Sequence, residues 1–263
     1  MNWLSSLSMA TLIVCCLALT LLTAIVARLT VRALVPAAEH DHVQPIASPL
    51  MPALGAAFAI LTALTLSSEA AYLRSAESLV SDEAAAASRL AWASSSPRVH
   101  SEPIQSALRD YLQSTRAREW GGAAASSGDD PTTDRAIATM EREVRTEAAR
   151  PALGTPASTE LVAALDALTS SRRARLAAAG RDIPALYVIT LVASGLALIA
   201  NAGALTFRSG VRTSMLVMGL ASVVGLSLAL LFSITAPWQG PLTVSGHPID
   251  AVVRDLQTGF FDR

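Results

Sequence analysis

Few residues in this sequence have the types and the spacing of a chemical site. His40-Asp41-His42 is the clearest candidate, because imidazole and carboxylate groups are ligands for zinc and other transition metals. No second cluster of cysteine, histidine or acidic residues with ligand spacing accompanies it, so a solvated loop is the better interpretation. Cys15 and Cys16 are neighbours in an apolar run, which favours two small apolar side chains over a disulfide. The sequence therefore predicts no metal site and no cofactor.

Motifs for catalysis are missing as well. There is no phosphate-binding glycine loop, no GxSxG and no HExxH. Glu83 and the pair Glu119-Trp120 are interpreted as solvated or helix-packing residues. The formal net charge of −1 and the pI near 6.4 give no basic footprint for nucleic acid. We expect neither an enzyme nor a nucleic-acid-binding protein.

Three residues inside apolar segments could instead serve the passage of ions. Gly55 belongs to a group of small residues that either let another helix approach closely or line a pore. Thr62 lies nearby and could face water in such a pore. Asn201 is an amide that either hydrogen-bonds to a neighbouring helix or lines a conduction path. The sequence leaves packing and pore-lining open for these residues.

The elements that position these residues are four segments without any charged side chain. They are Met1–Ala27, Val43–Ser68, Ile183–Phe207 and Thr213–Gly246. Each is long enough for the roughly 20 residues of a membrane-spanning helix, and an arginine at mid-bilayer would cost about 3 kcal/mol. We predict spans near residues 8–27, 49–68, 185–206 and 213–236. The first segment could also be a secretory signal, but its apolar run is too long and lacks a basic start, so an uncleaved span is preferred.

The second span continues into an amphipathic helix with no visible break. Before it, a polar connector contains Pro45 and Pro49. After Ser68, apolar residues recur at helical spacing as far as Leu90, with charged residues between them. This pattern predicts one rigid helix that joins a membrane part to a soluble part.

The soluble part is predicted to be a helical bundle over residues 69–183. Its first helix ends at about residue 94, and the others are expected at 103–120, 134–149 and 158–179, with a flexible loop at Gly121–Thr133. Residues 238–263 form a C-terminal tail with a short amphipathic segment. The predicted fold is an all-α integral membrane protein in which two transmembrane hairpins, residues 1–68 and 184–237, flank this bundle.

The orientation in the membrane stays open. With four spans, the bundle and both termini share one side, and the two connectors lie on the other. The connectors carry Arg28, Arg32, Arg208 and Arg212, and the bundle side carries Arg74, Arg172, Arg173, Arg175 and Arg181. The positive-inside rule gives opposite indications for these two groups.

Four groups of residues together resemble the bestrophin-like domain family of bacterial and plant membrane proteins. The groups, in chain order, are Glu83-Ala84; Ala107-Leu108-Arg109-Asp110-Tyr111 with Glu119-Trp120; Arg172-Arg173-Ala174-Arg175-Leu176; and Pro237-Trp238-Gln239-Gly240-Pro241-Leu242-Thr243-Val244. The likeness covers roughly residues 48–258, and its order and spacing with four spans are more specific than any single motif.

The resemblance implies a relation to bestrophins, which are pentameric anion channels whose second span lines a hydrophobic neck. It would place Pro52, Gly55 and Phe58 near a pore and residues 69–183 in the cytoplasm. The acidic calcium clasp of animal bestrophins has no counterpart here, because residues 238–247 contain no Asp or Glu. Calcium gating is therefore not expected.

The leading functional hypothesis is an oligomeric, bestrophin-like anion channel or transport protein in the cell membrane. Its partners would be the lipid bilayer, further copies of the chain, and chloride or other small anions. Oligomerisation follows because four spans from one chain do not enclose a wide pore. The alternative is a non-conducting sensor or scaffold whose bundle binds a partner or a ligand.

Overall fold

The computed structural model describes residues 8–34, 36, 40–120, 130–180, 185–208, 210–234, 238 and 243–262. These residues form eight α-helices and one short 3-10 helix at Phe260–Asp262, and no strand occurs among them. The α-helices are α1 Met9–Leu34, α2 His40–Ser94, α3 Ser101–Arg118, α4 Pro131–Ala148, α5 Thr155–Ala179, α6 Ala185–Leu205, α7 Val211–Ile234 and α8 His247–Gln257. Four of them, α1, α2, α6 and α7, are long and apolar enough to cross a membrane. The predicted all-α membrane fold is confirmed.

The chain divides into two compact units. The membrane unit consists of the described residues within 1–71 and 182–236, and the bundle unit of those within 72–181 and 237–263. Helix α2 contributes its first part to the membrane unit and its last part to the bundle unit.

In the membrane unit, α1 packs closely against α6 and α7 because two glycines face it. A Cβ on Gly203 would lie 2.7 Å from the backbone oxygen of Ala24, and a Cβ on Gly225 would lie 2.7 Å from Thr20 Oγ1. Side-chain atoms essentially never approach so closely, so only glycine allows these helix separations. In lipid there is no hydrophobic driving force between helices, so their association depends on close van der Waals packing, which small residues allow.

The beginning of α2 differs from the prediction. The polar connector was expected to include Pro45, Pro49 and the loop His40-Asp41-His42, but all of these residues lie within the helix, together with Pro52. A proline inside a helix removes one N–H donor and displaces the carbonyl four residues earlier. Ala47, in the same turns, is nevertheless buried.

The bundle unit contains its own hydrophobic core, contributed by α2, α3, α4, α5 and α8. The predicted helices at 103–120 and 158–179 begin two and three residues earlier than expected, at Ser101 and Thr155. Helix α4 also begins earlier, at Pro131, inside the predicted loop; residues 121–129 of that loop lie outside the described part of the chain. The cause is a cap: the Asp130 carboxylate accepts the N–H groups of Thr132 at 3.1 Å and Thr133 at 3.0 Å, with proline at the first helical position.

The C-terminal segment belongs to this core. The amphipathic segment predicted within residues 238–263 is helix α8, whose buried residues Ile249, Val252 and Leu256 face the bundle. Helix α8 packs against α3, and Phe261 of the 3-10 helix is buried beside it.

Candidate functional sites in the second span and the bundle core

Two residues that were predicted to line a pore face the interior of the membrane unit. Phe58 is 8% exposed and packs against Gly195, where an added Cβ would lie 3.0 Å from Phe58 Cε2. Gly55 faces Leu198, whose Cδ1 is 4.0 Å from the position of an added Cβ. Both residues therefore contact α6 of their own chain.

Asn201 and Thr62 also face protein. The Asn201 amide donates a hydrogen bond to the backbone oxygen of Ala47 at 2.9 Å, with the sulfur of Met51 at 3.6 Å. This bond connects α6 to the proline-containing turns of α2. Thr62 Oγ1 is buried and has no hydrogen-bond partner among the described residues. Pro52 is exposed, unlike the other four candidates.

The opposite face of α2 was not singled out in the sequence. Five of its exposed residues recur at intervals of seven, four, three and four, and they are Ile46, Ala53, Ala57, Ile60 and Leu64. A helical repeat of 3.6 residues places them on one side of the helix. The pattern is visible in the sequence, but the whole span is apolar, so composition alone does not separate its two faces.

The bundle unit contains a buried charge cluster, formed by Glu83, Tyr111, Glu119, Arg172 and Arg175. Glu83 lies on α2, Tyr111 on α3, Glu119 directly after α3, and both arginines on α5. All five side chains are nearly or fully buried. A charged group is almost never buried unless it is paired.

The hydrogen bonds of the cluster satisfy each of these charges. Arg175 donates from Nε and Nη2 to Glu83, and from Nη2 to Glu119 Oε2 at 2.6 Å. Arg172 donates to Glu119 Oε1 at 2.9 Å and to the half-exposed Asp134 at 2.8 Å. The Tyr111 hydroxyl donates to Glu83. Two carboxylates thus balance two guanidinium groups in the interior.

Aromatic rings enclose the cluster. The guanidinium carbon of Arg175 lies 5.2 Å from the centre of the Trp120 ring, and that of Arg172 lies 5.6 Å from the Tyr111 ring. Trp120 donates from Nε1 to the backbone oxygen of Val244 at 2.9 Å and meets Trp238 edge-on at 5.8 Å. The cluster therefore connects α2, α3 and α5 to the segment that precedes α8.

Burial and charge shift the proton affinities of the cluster in defined directions. Burial raises the pKa of Tyr111 well above its usual range, and the negative charge of Glu83 raises it further, against the smaller opposing effect of the arginines. Burial alone would lower the pKa of Arg175, but the charges of Glu83 and Glu119 outweigh it and raise that pKa. Tyr111 therefore stays neutral and Arg175 stays charged across the physiological range.

The interpretation of Glu83 and Glu119 as solvated is wrong, whereas helix packing describes them correctly. Glu83 lies on the apolar stripe of α2, one turn after Val80 and one turn before Ala87, and this position was a signal in the sequence. Arg172 and Arg175 are spaced by three residues on one face of α5. Within the described residues, no group of three or more His, Cys, Asp or Glu side chains is placed to hold a metal ion.

Comparisons with known proteins agree with this architecture. A crystal structure of a bacterial bestrophin homologue from Klebsiella pneumoniae, with one substitution, is 14% identical; the match covers 93% of this chain and 99% of that one, with a TM-score of 0.70. A crystal structure described as a membrane protein, also a substituted form, is 15% identical over 95% of this chain and 97% of that one, with a TM-score of 0.69. No curated protein matches the chain. A family model described as the bestrophin-like domain matches residues 11–249. The chain therefore belongs to the bestrophin-like domain family.

Proposed function

We propose that this protein forms an oligomeric ion channel in the cell membrane, with chloride or other small anions as the conducted species. The observation that carries the proposal is the exposure of α2 in the membrane unit. Only 6% of its most apolar stretch is buried, compared with 22% to 33% for the other three candidate spans. A span that packs so little within its own chain leaves a face for other copies and for a water-filled path.

The chemistry of this exposed face supports a pore wall. Ala53 and Ala57 are small enough to let helices from other copies approach. Ile60 and Leu64 on the same face could form a hydrophobic constriction, which can gate ions by excluding water. We propose that this face lines the pore, with the exposed Pro52 at its border.

The remaining pore-lining predictions acquire a different role in this proposal. Gly55, Phe58 and Asn201 would hold α2 against α6 from behind the pore wall, since their contacts lie within the same chain, and the buried hydroxyl of Thr62 would lie on the same side of α2. The anion is supported by family membership alone.

Halide flux from liposomes tests the proposal with a matched pair of variants. Ile60 and Ile189 are 60% and 62% exposed, but Ile60 lies on the proposed pore face and Ile189 on α6. Ile60→Ala should raise the flux several-fold because it shortens the hydrophobic barrier, and Ile189→Ala should leave it unchanged. The proposal fails if folded, inserted protein conducts no halide, if both variants behave alike, or if the protein in nanodiscs is monomeric.

We also propose that the bundle unit is cytoplasmic, with residues 238–263 part of it. The family resemblance supports this orientation. Gln113 is an exposed residue on α3, so Gln113→Cys in a chain with alanine at positions 15 and 16 gives one labelling site. A membrane-impermeant maleimide should label it only after the cells are lysed, and labelling of intact cells would place the bundle outside.

A second candidate function is the non-conducting sensor or scaffold. The exposed side chains of Trp92 and Phe260 favour it, because their rings lie 5.7 Å apart on the bundle surface. Tryptophan is enriched among the residues that contribute most to binding a protein partner. This function would be preferred if the liposomes show no flux and the bundle proves extracytoplasmic.

A further inference from the structure

A groove lies in the membrane unit between α1, α2 and α6. Its volume is about 750 Å³, which is within the range of ligand-binding pockets. Helix α1 lines it over residues 19–31, α2 contributes Leu50 and Leu54, and α6 contributes residues 197–204. Most of these side chains are apolar, so the lining suits an apolar molecule.

Two of the three polar lining residues, Thr30 and Asn201, lie at one end of the groove, and the hydroxyl of the third, Thr23, donates to the backbone oxygen of Leu19 at 2.8 Å. Asn201 lies one turn before the end of α6, and Thr30 lies one turn before the end of α1. The hydrogen bond from Asn201 to Ala47 places the beginning of α2 at the same level. The other end is lined by Leu19, further inside α1. The groove is thus polar towards the helix ends and apolar towards the middle of the spans, as a lipid molecule is.

The length of the groove corresponds to one leaflet. Arg28 is the first charged residue of α1, so it marks the limit of the apolar part. From Leu19 to Val31 the lining of α1 rises about 18 Å at 1.5 Å per residue, and the part before Arg28, about 13.5 Å, is close to half of a hydrocarbon core of about 30 Å. A helix from a second copy would cross both leaflets and would need a longer groove, whereas an acyl chain occupies only one.

The positive charge of the arginines at the polar end would favour a lipid with a negatively charged headgroup. The two connectors there carry four arginines, Arg28, Arg32, Arg208 and Arg212, against the two acidic residues Glu39 and Asp41. This gives the connectors a net charge of +2 (4 − 2). Arg32 is exposed and directly follows Val31 of the groove lining. A guanidinium group pairs with a phosphate through two parallel hydrogen bonds.

We propose that the groove binds one acyl chain of an anionic phospholipid, whose phosphate lies at the arginine-rich end. Neither the shape nor the charge of the site depends on ion conduction, so the proposal stands apart from the channel.

Native mass spectrometry of the full-length protein in detergent tests it with phosphatidylglycerol and phosphatidylcholine of equal chain length. Phosphatidylglycerol should be retained at least tenfold better. Ala197→Phe fills the groove and should lower this retention about tenfold, whereas Ala193→Phe, at an exposed site outside the lining on the same helix, should not. Arg32→Gln should remove the preference between the two lipids. Equal retention of both lipids by the wild type, or equal behaviour of the two phenylalanine variants, overturns the proposal.

A second measurement remains useful if Ala197→Phe does not fold. Leu22 in the groove and Leu226 on α7 have similar exposure, 58% and 54%. Brominated phosphatidylglycerol should quench the fluorescence of the tryptophan introduced by Leu22→Trp, and this quenching should persist when phosphatidylcholine is added in excess. The tryptophan introduced by Leu226→Trp should no longer be quenched once phosphatidylcholine is in excess. Equal loss at both positions would mean that only bulk lipid contacts the groove, which refutes the site. If the wild type retains no lipid and Ala197→Phe dissociates the oligomer, the groove binds a second copy of the chain, and the lipid proposal is refuted.

Discussion

Replacing Glu83 by glutamine should make the bundle unit open locally far more often. Glu83 accepts hydrogen bonds from Arg175 and Tyr111, so its neutralisation leaves two buried arginines with Glu119 as the one buried carboxylate. Removing one partner of a buried ion pair costs about 3 to 5 kcal/mol, because the other charge stays buried without compensation. Glutamine has nearly the same volume as glutamate, so no cavity forms and we expect the lower value, about 3 kcal/mol.

An exposed pair in the same unit provides the control. Arg89 and Glu160 are 3.0 Å apart, but their side chains are 52% and 50% exposed. Exposed pairs contribute about 0 to 1 kcal/mol. Glu160→Gln makes the same chemical change as Glu83→Gln, and the difference between the variants therefore measures burial.

Amide hydrogen exchange in nanodiscs is the suitable assay, since it reports local opening without requiring reversible unfolding of a membrane protein. A cost of about 3 kcal/mol corresponds to roughly 100-fold faster exchange in peptides around Tyr111 and Arg175. Glu160→Gln should change exchange less than about fivefold. The double variant Glu83→Gln/Arg175→Gln should recover part of the protection, because it restores the charge balance. Equal exchange in Glu83→Gln and Glu160→Gln would refute the reasoning.

Three further predictions concern single side chains. Above about pH 10, tyrosine in the unfolded chain loses its proton while Tyr111 keeps it, so the native state binds more protons and stability should fall with pH, by up to about 1.4 kcal/mol per unit. The protection from hydrogen exchange, relative to the rate of the unfolded chain at the same pH, should fall with this slope between pH 9 and 11, and Tyr111→Phe should abolish the slope. Gly225→Ala should cost about 1 to 3 kcal/mol in thermal unfolding, because its Cβ would overlap Thr20, while Gly219→Ala meets nothing within 4 Å and should be neutral. Phe58→Ala should lower the stability by about 3 to 5 kcal/mol in the same assay, because Phe58 is buried. A much smaller loss of stability would mean that Phe58 lines the pore instead.

The four spans could be predicted because insertion into lipid excludes charged residues over a whole segment. A long segment without charged residues is visible in the sequence alone. The helical beginning of α2 could not be predicted, because its three prolines argue against a helix and its contact with Asn201 joins residues that are 154 positions apart in the sequence. The two faces of α2 were equally hidden, since an apolar span shows no contrast between a buried Phe58 and an exposed Ile60.

The charge cluster was partly predictable. The position of Glu83 on an apolar stripe and the three-residue spacing of Arg172 and Arg175 were both visible. The pairing itself was not, because its members are separated by up to 92 residues and nothing local specifies which carboxylate meets which guanidinium.

The closed charge balance of this cluster also restricts how the sequence can change. Any single replacement that neutralises Glu83, Glu119, Arg172 or Arg175 leaves one buried charge in excess, whereas a matched pair of replacements leaves none. A viable route away from the present residues would therefore need two changes together, or a first change tolerated only in a more stable background. These positions should drift as a linked set, and surface positions such as Glu160 should drift independently.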